Sequence, residues 1–288
     1  MPQPQAKIGV IGGSGLYDIE GMTGIKQVDV STPFGKPSDS ITVGRLGGVG
    51  IAFLPRHGKG HRILPSEVPS RANIYALKSL GVEHIIAVCS AGSFKKEIEP
   101  GHLLIPDQLI DRTKGRPGTF FGEGIVAHVP FADPFCPELS EILYDSATAV
   151  GATVHPKGTF VVMEGPAFST RAESRLYRSW GADVIGMTNL TEAKLAREAE
   201  VCYASLGLVT DYDAWRETGE PVGVDTIVAV LRDNTAAARQ ALRDAVRRID
   251  PARTCGCRQA MKFSILTDRA AIADSARRRL KPILGRYL

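Results

Sequence analysis

Short runs of uninterrupted apolar residues alternate along this chain with longer amphipathic stretches, and that alternation restricts it to α/β folds. The apolar runs lie at Val49 to Leu54, His84 to Val88, His102 to Ile105, Thr159 to Met163, Val184 to Met187 and Tyr203 to Val209. Each is bounded by Gly, Pro or charged residues and reads as a core strand buried on both faces. Helical periodicity occupies Ser70 to Leu80, Cys136 to Val150, Arg171 to Trp180, Thr191 to Ala199 and Val224 to Ile249. No repeat, low-complexity tract or Pro/Ser linker divides the middle of the chain. The reading is therefore one domain over residues 6–267, followed by a basic tail, 268–288, read as helical.

Composition narrows the partners. A formal charge of +4 over 288 residues is small and spread out, apart from five arginines and one lysine against Asp274 within residues 269–286. Nucleic-acid binding is not expected from this balance. The chain shows neither a basic segment leading into an apolar one at its start nor an apolar run long enough to span a bilayer, so a cytoplasmic protein without membrane contact is expected. Its cysteines, Cys89, Cys136, Cys202, Cys255 and Cys257, lack zinc-ligand spacing, so no metal is expected. Cys255-Gly-Cys257 reads as a pair of solvated thiols that could oxidise or bridge to another cysteine.

Three segments suit an anion. Lys7-Ile-Gly-Val-Ile-Gly-Gly-Ser-Gly15 is a short strand entering a glycine turn, where backbone N–H groups can approach a ligand and Ser14 adds a hydroxyl. The glycine spacing is not that of a dinucleotide fold, and no strand ending in an acid follows at the required distance. Pro55-Arg-His-Gly58 places Arg56 and His57 at a strand end, and Cys89-Ser-Ala-Gly-Ser93 sets small residues after the strand His84 to Val88. Each segment alone also fits an ordinary turn or helix start. Lying at successive strand ends, they share the usual ligand edge of an open α/β sheet.

In Val209-Thr-Asp-Tyr-Asp-Ala-Trp215, strand alternation puts Asp211 and Asp213 on one side and Tyr212 on the other. Adjacent carboxyls favour retention of a proton on one of them, as a general acid requires. Read alone, the pair also fits a solvated acidic turn.

The chain resembles the 5′-methylthioadenosine phosphorylases, a trimeric class within the purine nucleoside phosphorylase family. The match runs in order through Gly12-Gly-Ser-Gly-Leu16, Thr32-Pro-Phe-Gly-Lys-Pro-Ser38, Arg56-His-Gly58, Ala72-Asn-Ile-Tyr-Ala-Leu77, Asp107-Gln-Leu-Ile-Asp-Arg112, Pro134-Phe-Cys136, Glu164-Gly-Pro-Ala-Phe-Ser169, Arg171-Ala-Glu-Ser174, Trp180-Gly-Ala-Asp183 and Thr210-Asp-Tyr-Asp-Ala-Trp215. The resemblance implies a nucleoside phosphorylase fold, with a mixed central β-sheet partly closed into a barrel and flanked by helices. It implies inorganic phosphate as co-substrate, bound by Ser14, Arg56, His57, Cys89, Ser90 and Thr188, and no cofactor. It places Phe168, Met187 and Tyr212 around the nucleoside, with Asp211 and Asp213 as catalytic purine readers at N7 and the 6-amino group. Ser169 with Asp211 implies adenine rather than a 6-oxo purine. Val224 stands where relatives that bind a free 5′-hydroxyl carry His, and Ile227 is implied to extend that apolar wall. His128 and Leu266 are implied to complete a neighbouring subunit's pocket, in a homotrimer or a dimer of trimers. Cys89 departs from the family's usual Ser or Thr, which shifts weight to Ser90. The implied reaction is phosphorolysis of 5′-methylthioadenosine. The alternatives are 5′-methylthioinosine or a broader purine nucleoside range and, from another class, a non-catalytic nucleotide-binding or RNA-associated protein on this scaffold.

Overall fold

The computed structural model describes residues 5–13, 16, 21–216, 224–250 and 255–288. Eleven strands form one mixed sheet: β1 (Ile8–Gly12), β2 (Met22–Val28), β3 (Ile41–Leu46), β4 (Val49–Pro55), β5 (His84–Ser93), β6 (Leu103–Leu104), β7 (Gln108–Arg112), β8 (Val154–His155), β9 (Thr159–Met163), β10 (Val184–Gly186) and β11 (Cys202–Tyr212). The helices are α1 (Ser70–Ser79), α2 (Pro137–Ala149), α3 (Arg171–Ser179), α4 (Asn189–Glu198), α5 (Val224–Arg248), α6 (Asp274–Arg279) and α7 (Lys281–Leu284).

The sheet runs β2-β3-β4-β1-β5-β10-β9-β7, and β11 branches from β5 to carry β6 and then β8. β1 lies parallel to both β4 and β5, and β11 lies parallel to β5, so the carboxyl ends of these four strands share one edge. β10 pairs antiparallel with the last residues of β5. The sheet is mixed, as the resemblance implies, and does not close into a ring. One face is covered by α1, α4 and α7, the other by α2 and α5, and a hydrophobic cluster lies beneath each set.

Two strands outrun their sequence-predicted ends. Cys89-Ser-Ala-Gly-Ser93, expected after a strand, belongs to β5, because β11 pairs with it along the whole segment. β11 likewise runs to Tyr212, with an irregularity in register between Val209 and Asp211. The edge strand β2 carried no apolar signal because its five central residues are exposed. Cys255 and Cys257 are not solvated: they are 8% and 5% exposed, and belong to the cluster beneath α2 and α5. Among the described residues no helix is long and apolar enough to cross a membrane.

Residues 268–288 are helical over much of their length but do not lie loosely on the surface. Leu280, Ile283 and Leu284 are buried in the cluster beneath α1, and the Tyr75 hydroxyl donates to the Arg279 carbonyl at 3.1 Å. Leu284→Ala is therefore expected to cost about 2–5 kcal/mol of stability, read as a lower denaturant midpoint. An unchanged midpoint would show that this segment is not part of the core.

Candidate active site

The shared strand edge brings the predicted phosphate residues together. Arg56 follows β4, and its amide donates to the Gly12 carbonyl at 3.0 Å, which ties the glycine turn to it. The side chain is buried and its position is over-determined. Nε and Nη2 bond the two Glu192 oxygens at 2.6 and 3.1 Å, Nη1 donates to the Val88 carbonyl at 2.8 Å, and Nη2 approaches the Ile11 carbonyl at 3.5 Å. Four of the five guanidinium N–H groups are thus occupied, which leaves one Nη1 hydrogen without a partner among the described residues. Burial works against the Arg56 charge, but the Glu192 carboxylate more than restores it and holds its pKa above the usual value. The Tyr203 hydroxyl donates to Glu192 at 2.9 Å and completes the buried network.

The ring of His57 is also mostly buried. Its Nδ1 lies 2.8 Å from the Ile63 carbonyl and so carries the proton, which leaves only Nε2 for a ligand. Burial, and next the Arg56 charge, lower its pKa to about 4, so the ring is neutral at pH 7. Cys89 points inward with Sγ 3.5 Å from the Ser205 hydroxyl and also within reach of the Thr188 hydroxyl. Burial raises the Cys89 pKa and keeps it a thiol. Ser90, its neighbour on the strand, is exposed. Thr188 is the N-cap of α4 but its side chain does not cap the helix; its hydroxyl instead lies beside Cys89, at a helix terminus suited to anions. Ser14 lies outside the described residues.

The carboxylates stand on the neighbouring strand, beside the last residues of β5. β11 places Asp211 opposite Gly92, and a Cβ at Gly92 would lie 2.9 Å from Asp211 Oδ1 and 3.4 Å from Asp213 Cβ. Both acids therefore crowd one side of β5, as alternation predicts. Burial, with Asp213 adding repulsion, raises the Asp211 pKa against the Thr210 hydroxyl, which donates to Oδ2 at 2.8 Å. Burial likewise raises Asp213, opposed by the nearby hydroxyls of Ser174 and Ser169. Tyr212 turns away: its hydroxyl donates to the Lys96 carbonyl at 3.1 Å and its ring meets Trp215 and Arg216.

Between these two groups lie Met187 and the loop after β9. Gly165 has φ +70°, and a Cβ there would lie 2.5 Å from Met187 Sδ, so glycine admits the methionine. Ser169 is buried with Oγ 3.6 Å from Met163 Sδ, and Phe168 is 48% exposed. α5 carries Val224 and Ile227, whose side chains lie outside the described set, and is fixed to β11 by Asn234 Nδ2 donating to the Val209 carbonyl at 2.9 Å. His128 and Leu266 are brought together on an exposed edge, where the His128 amide bonds the Ser264 carbonyl and the Leu266 amide bonds the Val126 carbonyl, each at 2.9 Å. His128 lines a groove with Lys194 and Glu198. Glu198 ends α4, about 14 Å along the helix from the Thr188 end.

Sequence reasoning missed three supporting residues. Glu192 lies one turn into α4, where an acid at a core-facing position was the available signal. Gly92 clears space for the carboxylates, and a glycine inside a strand does signal close approach. Arg116 donates to the carbonyls of Met187 at 2.6 Å, Glu164 at 2.5 Å and Met163 at 3.3 Å, and so fixes the middle of the site. It lies in the irregular segment Lys114-Gly-Arg-Pro-Gly118, which carries no pattern.

Residues 7–247 match the phosphorylase superfamily. The S-methyl-5′-thioadenosine phosphorylase of Geobacter sulfurreducens is 57% identical, covering 98% of this chain and 99% of the relative. That of Koribacter versatilis is 52% identical, covering 98% and 97%. A crystal structure of a methylthioadenosine phosphorylase from an antarctic soil metagenomic library superposes with a TM-score of 0.94 at 46% identity, covering 98% of this chain and 100% of the other. The Schistosoma mansoni methylthioadenosine phosphorylase in complex with adenine gives 0.80 at 40% identity over 84% and 91%. The chain thus belongs to the phosphorylase superfamily and has its nucleoside phosphorylase fold. Within that superfamily it is a member of the methylthioadenosine phosphorylase family.

Two outcomes follow from this geometry. Gly92→Ala should leave the fold intact by circular dichroism and lower turnover about 10²-fold, the scale of a 1 Å misplacement of a reacting group. Wild-type turnover would show that the clearance is unimportant. For His57 the folded pKa is about 4 against an ordinary 6.5, so the unfolded chain takes up the proton first. Stability linked to this ring is complete above about pH 6.5 and declines as pH falls toward 4. Denaturant midpoints between pH 7 and 4 should therefore fall less for His57→Gln than for wild type. Equal declines would refute the neutral buried ring.

Proposed function

We propose that this chain catalyses phosphorolysis of 5′-methylthioadenosine, giving adenine and 5-methylthio-α-D-ribose 1-phosphate with inversion at the anomeric carbon, a step of purine and methionine salvage. The observation that carries the reading is the pair Asp211 and Asp213, both buried with raised pKa values, beside the end of β5, the strand that also carries Cys89 and whose Val88 carbonyl accepts from Arg56.

Hydrogen phosphate dianion binds between the remaining Nη1 hydrogen of Arg56, the Thr188 hydroxyl and Ser14. Neutral His57 suits that ion, because Nε2 can accept its single O–H. The Cys89 thiol closes the cradle, and the exposed Ser90 is the neighbouring donor. As the glycosidic bond stretches, the ribosyl group gains positive charge, which the held dianion stabilises before attacking the anomeric carbon from the opposite face. The electrons of the broken C–N bond pass into adenine, and Asp211 supplies the proton to N7. Asp213 orients the base through its 6-amino group, with Ser169 beside it. Met187 packs on the ribose and Phe168 covers the base. Tyr212 supports the strand that carries the acids from behind. Val224 and Ile227 form an apolar wall, which a methylthio group satisfies without a hydrogen bond.

Residues 6–267 make the catalytic unit, with 268–288 as its basic extension. Inorganic phosphate is the only partner the chemistry requires besides the nucleoside, and no cofactor takes part. A cytoplasmic homotrimer, or a dimer of trimers, agrees with the exposure of His128 and Leu266, which would complete a neighbouring copy's pocket. The paired, protonatable acids speak against a non-catalytic nucleotide-binding protein on this scaffold.

The deciding assay is product analysis with 5′-methylthioadenosine, adenosine, 5′-methylthioinosine and inosine, each with and without phosphate. Adenine should appear from the first only when phosphate is present. Asp211→Asn should lower that rate by about 10² or more. Because protonated Asp211 is the active form and its pKa is raised, wild-type turnover should fall as pH rises through that pKa, and this limb should vanish in the variant. A variant with wild-type turnover would exclude Asp211 as the acid.

A further inference from the structure

Folding gathers four cysteines that the sequence scatters. The Sγ atoms of Cys136, Cys202, Cys255 and Cys257 all lie within 4.8 Å of one another, and all four residues are buried. A tetrahedral thiolate site with metal–sulfur bonds of about 2.3 Å has sulfur–sulfur edges of about 3.8 Å, so the observed cluster needs only small side-chain rotations to take an ion. We propose that these four residues form a tetrathiolate site for a soft divalent metal, with zinc the best fit.

The positions of the ligands are set by contacts that do not involve their sulfurs. The Cys136 amide donates to the Tyr203 carbonyl at 2.8 Å, which fixes the start of α2 to β11. Cys202 opens β11, with its amide on the Glu83 carbonyl at 3.0 Å. The third segment, carrying Cys255 and Cys257, is held by Arg258, whose Nη2 donates to Glu83 Oε2 at 2.6 Å. Three distant parts of the chain thus meet at one point, with Gly256 giving the close ligand pair its short span.

One helix terminus also favours a thiolate. Cys136 is the N-cap of α2, whose positive end stabilises a sulfur anion. Otherwise the cluster lies in apolar surroundings beneath α2 and α5. Without an ion, four thiols would share a space where Cys202 and Cys255 already approach to 2.9 Å. Binding replaces four S–H bonds by four metal–sulfur bonds and releases one proton per thiol, with no change of oxidation state. Cys89 stands apart, on Ser205.

The ion would do structural work. From Cys257 the chain passes through Met261, whose amide bonds Glu200 Oε1 at 2.9 Å, to Ser264 and Leu266 beside His128. A metal at the cluster therefore anchors the strap that presents Leu266.

The full-length chain, reduced with a phosphine, loaded with zinc and freed of excess, should retain about one zinc per chain by plasma mass spectrometry. A mercurial that titrates the thiols should release it. Cobalt(II) in place of zinc should give the sulfur-to-metal charge transfer and visible bands of a tetrahedral thiolate site. Cys255→Ser/Cys257→Ser should lose stoichiometric zinc; should that variant fail to fold, the cobalt spectrum of the wild type decides. The proposal is overturned if the reduced wild type retains no stoichiometric zinc and cobalt gives no thiolate bands. It is equally overturned if the protein isolated without oxidant has an intact mass four hydrogens short, the mark of two disulfides.

Discussion

β5 must satisfy three neighbours, and the site depends on how it does so. Along one side it pairs with β11 throughout; along the other it meets β1 first and β10 only in its last residues. Its final residues therefore face neighbouring backbones and site side chains at close quarters, and Cys89-Ser-Ala-Gly-Ser93 supplies small side chains there. The Val88 carbonyl orients Arg56, while Gly92 admits Asp211 and Asp213. A bulkier strand would separate the anion end from the acid end, or push one of them out of line.

The two ends have opposite electrostatic needs, and the fold meets each with burial. At the anion end a buried cation survives because Glu192 faces it with good geometry and Tyr203 satisfies the carboxylate in turn. At the acid end no described cation faces Asp211 or Asp213, so burial favours their protonated forms. The same desolvation that would be harmful at Arg56 without Glu192 is useful at the end of β11. His57 follows this logic as well, since loss of its charge leaves a neutral acceptor beside an existing cation.

Much of this was legible in the sequence. The apolar runs become β4, β5, β9, β10 and β11, with α1, α2, α3 and α5 near their expected limits, because these elements bury continuous or periodic apolar faces. The edge strand β2 was not readable, since exposure removes the apolar signal. Among the candidate site residues, Arg56 and His57 are charged or polar groups at a strand end, which announce themselves, whereas Thr188 enters only through the resemblance. Gly92 and Arg116 act through clearance and through backbone carbonyls, and neither role leaves a pattern in spacing. The cysteine cluster was misread for a related reason. Its members come from three segments whose proximity is created by β11, α2 and Glu83, none of which spacing along the chain can report.

The Arg56–Glu192 pair has one more implication. A guanidinium beside a carboxylate has almost no net charge at a distance, so this end of the site sends out little long-range field. Under the proposed function it would work less as an attractor of anions than as a mould for one. Recognition would then rest on where a few hydrogen atoms and lone pairs point, and on whether the incoming ion carries a proton for His57. Selectivity among tetrahedral anions would accordingly be set by protonation state and shape, with ionic strength playing only a small part.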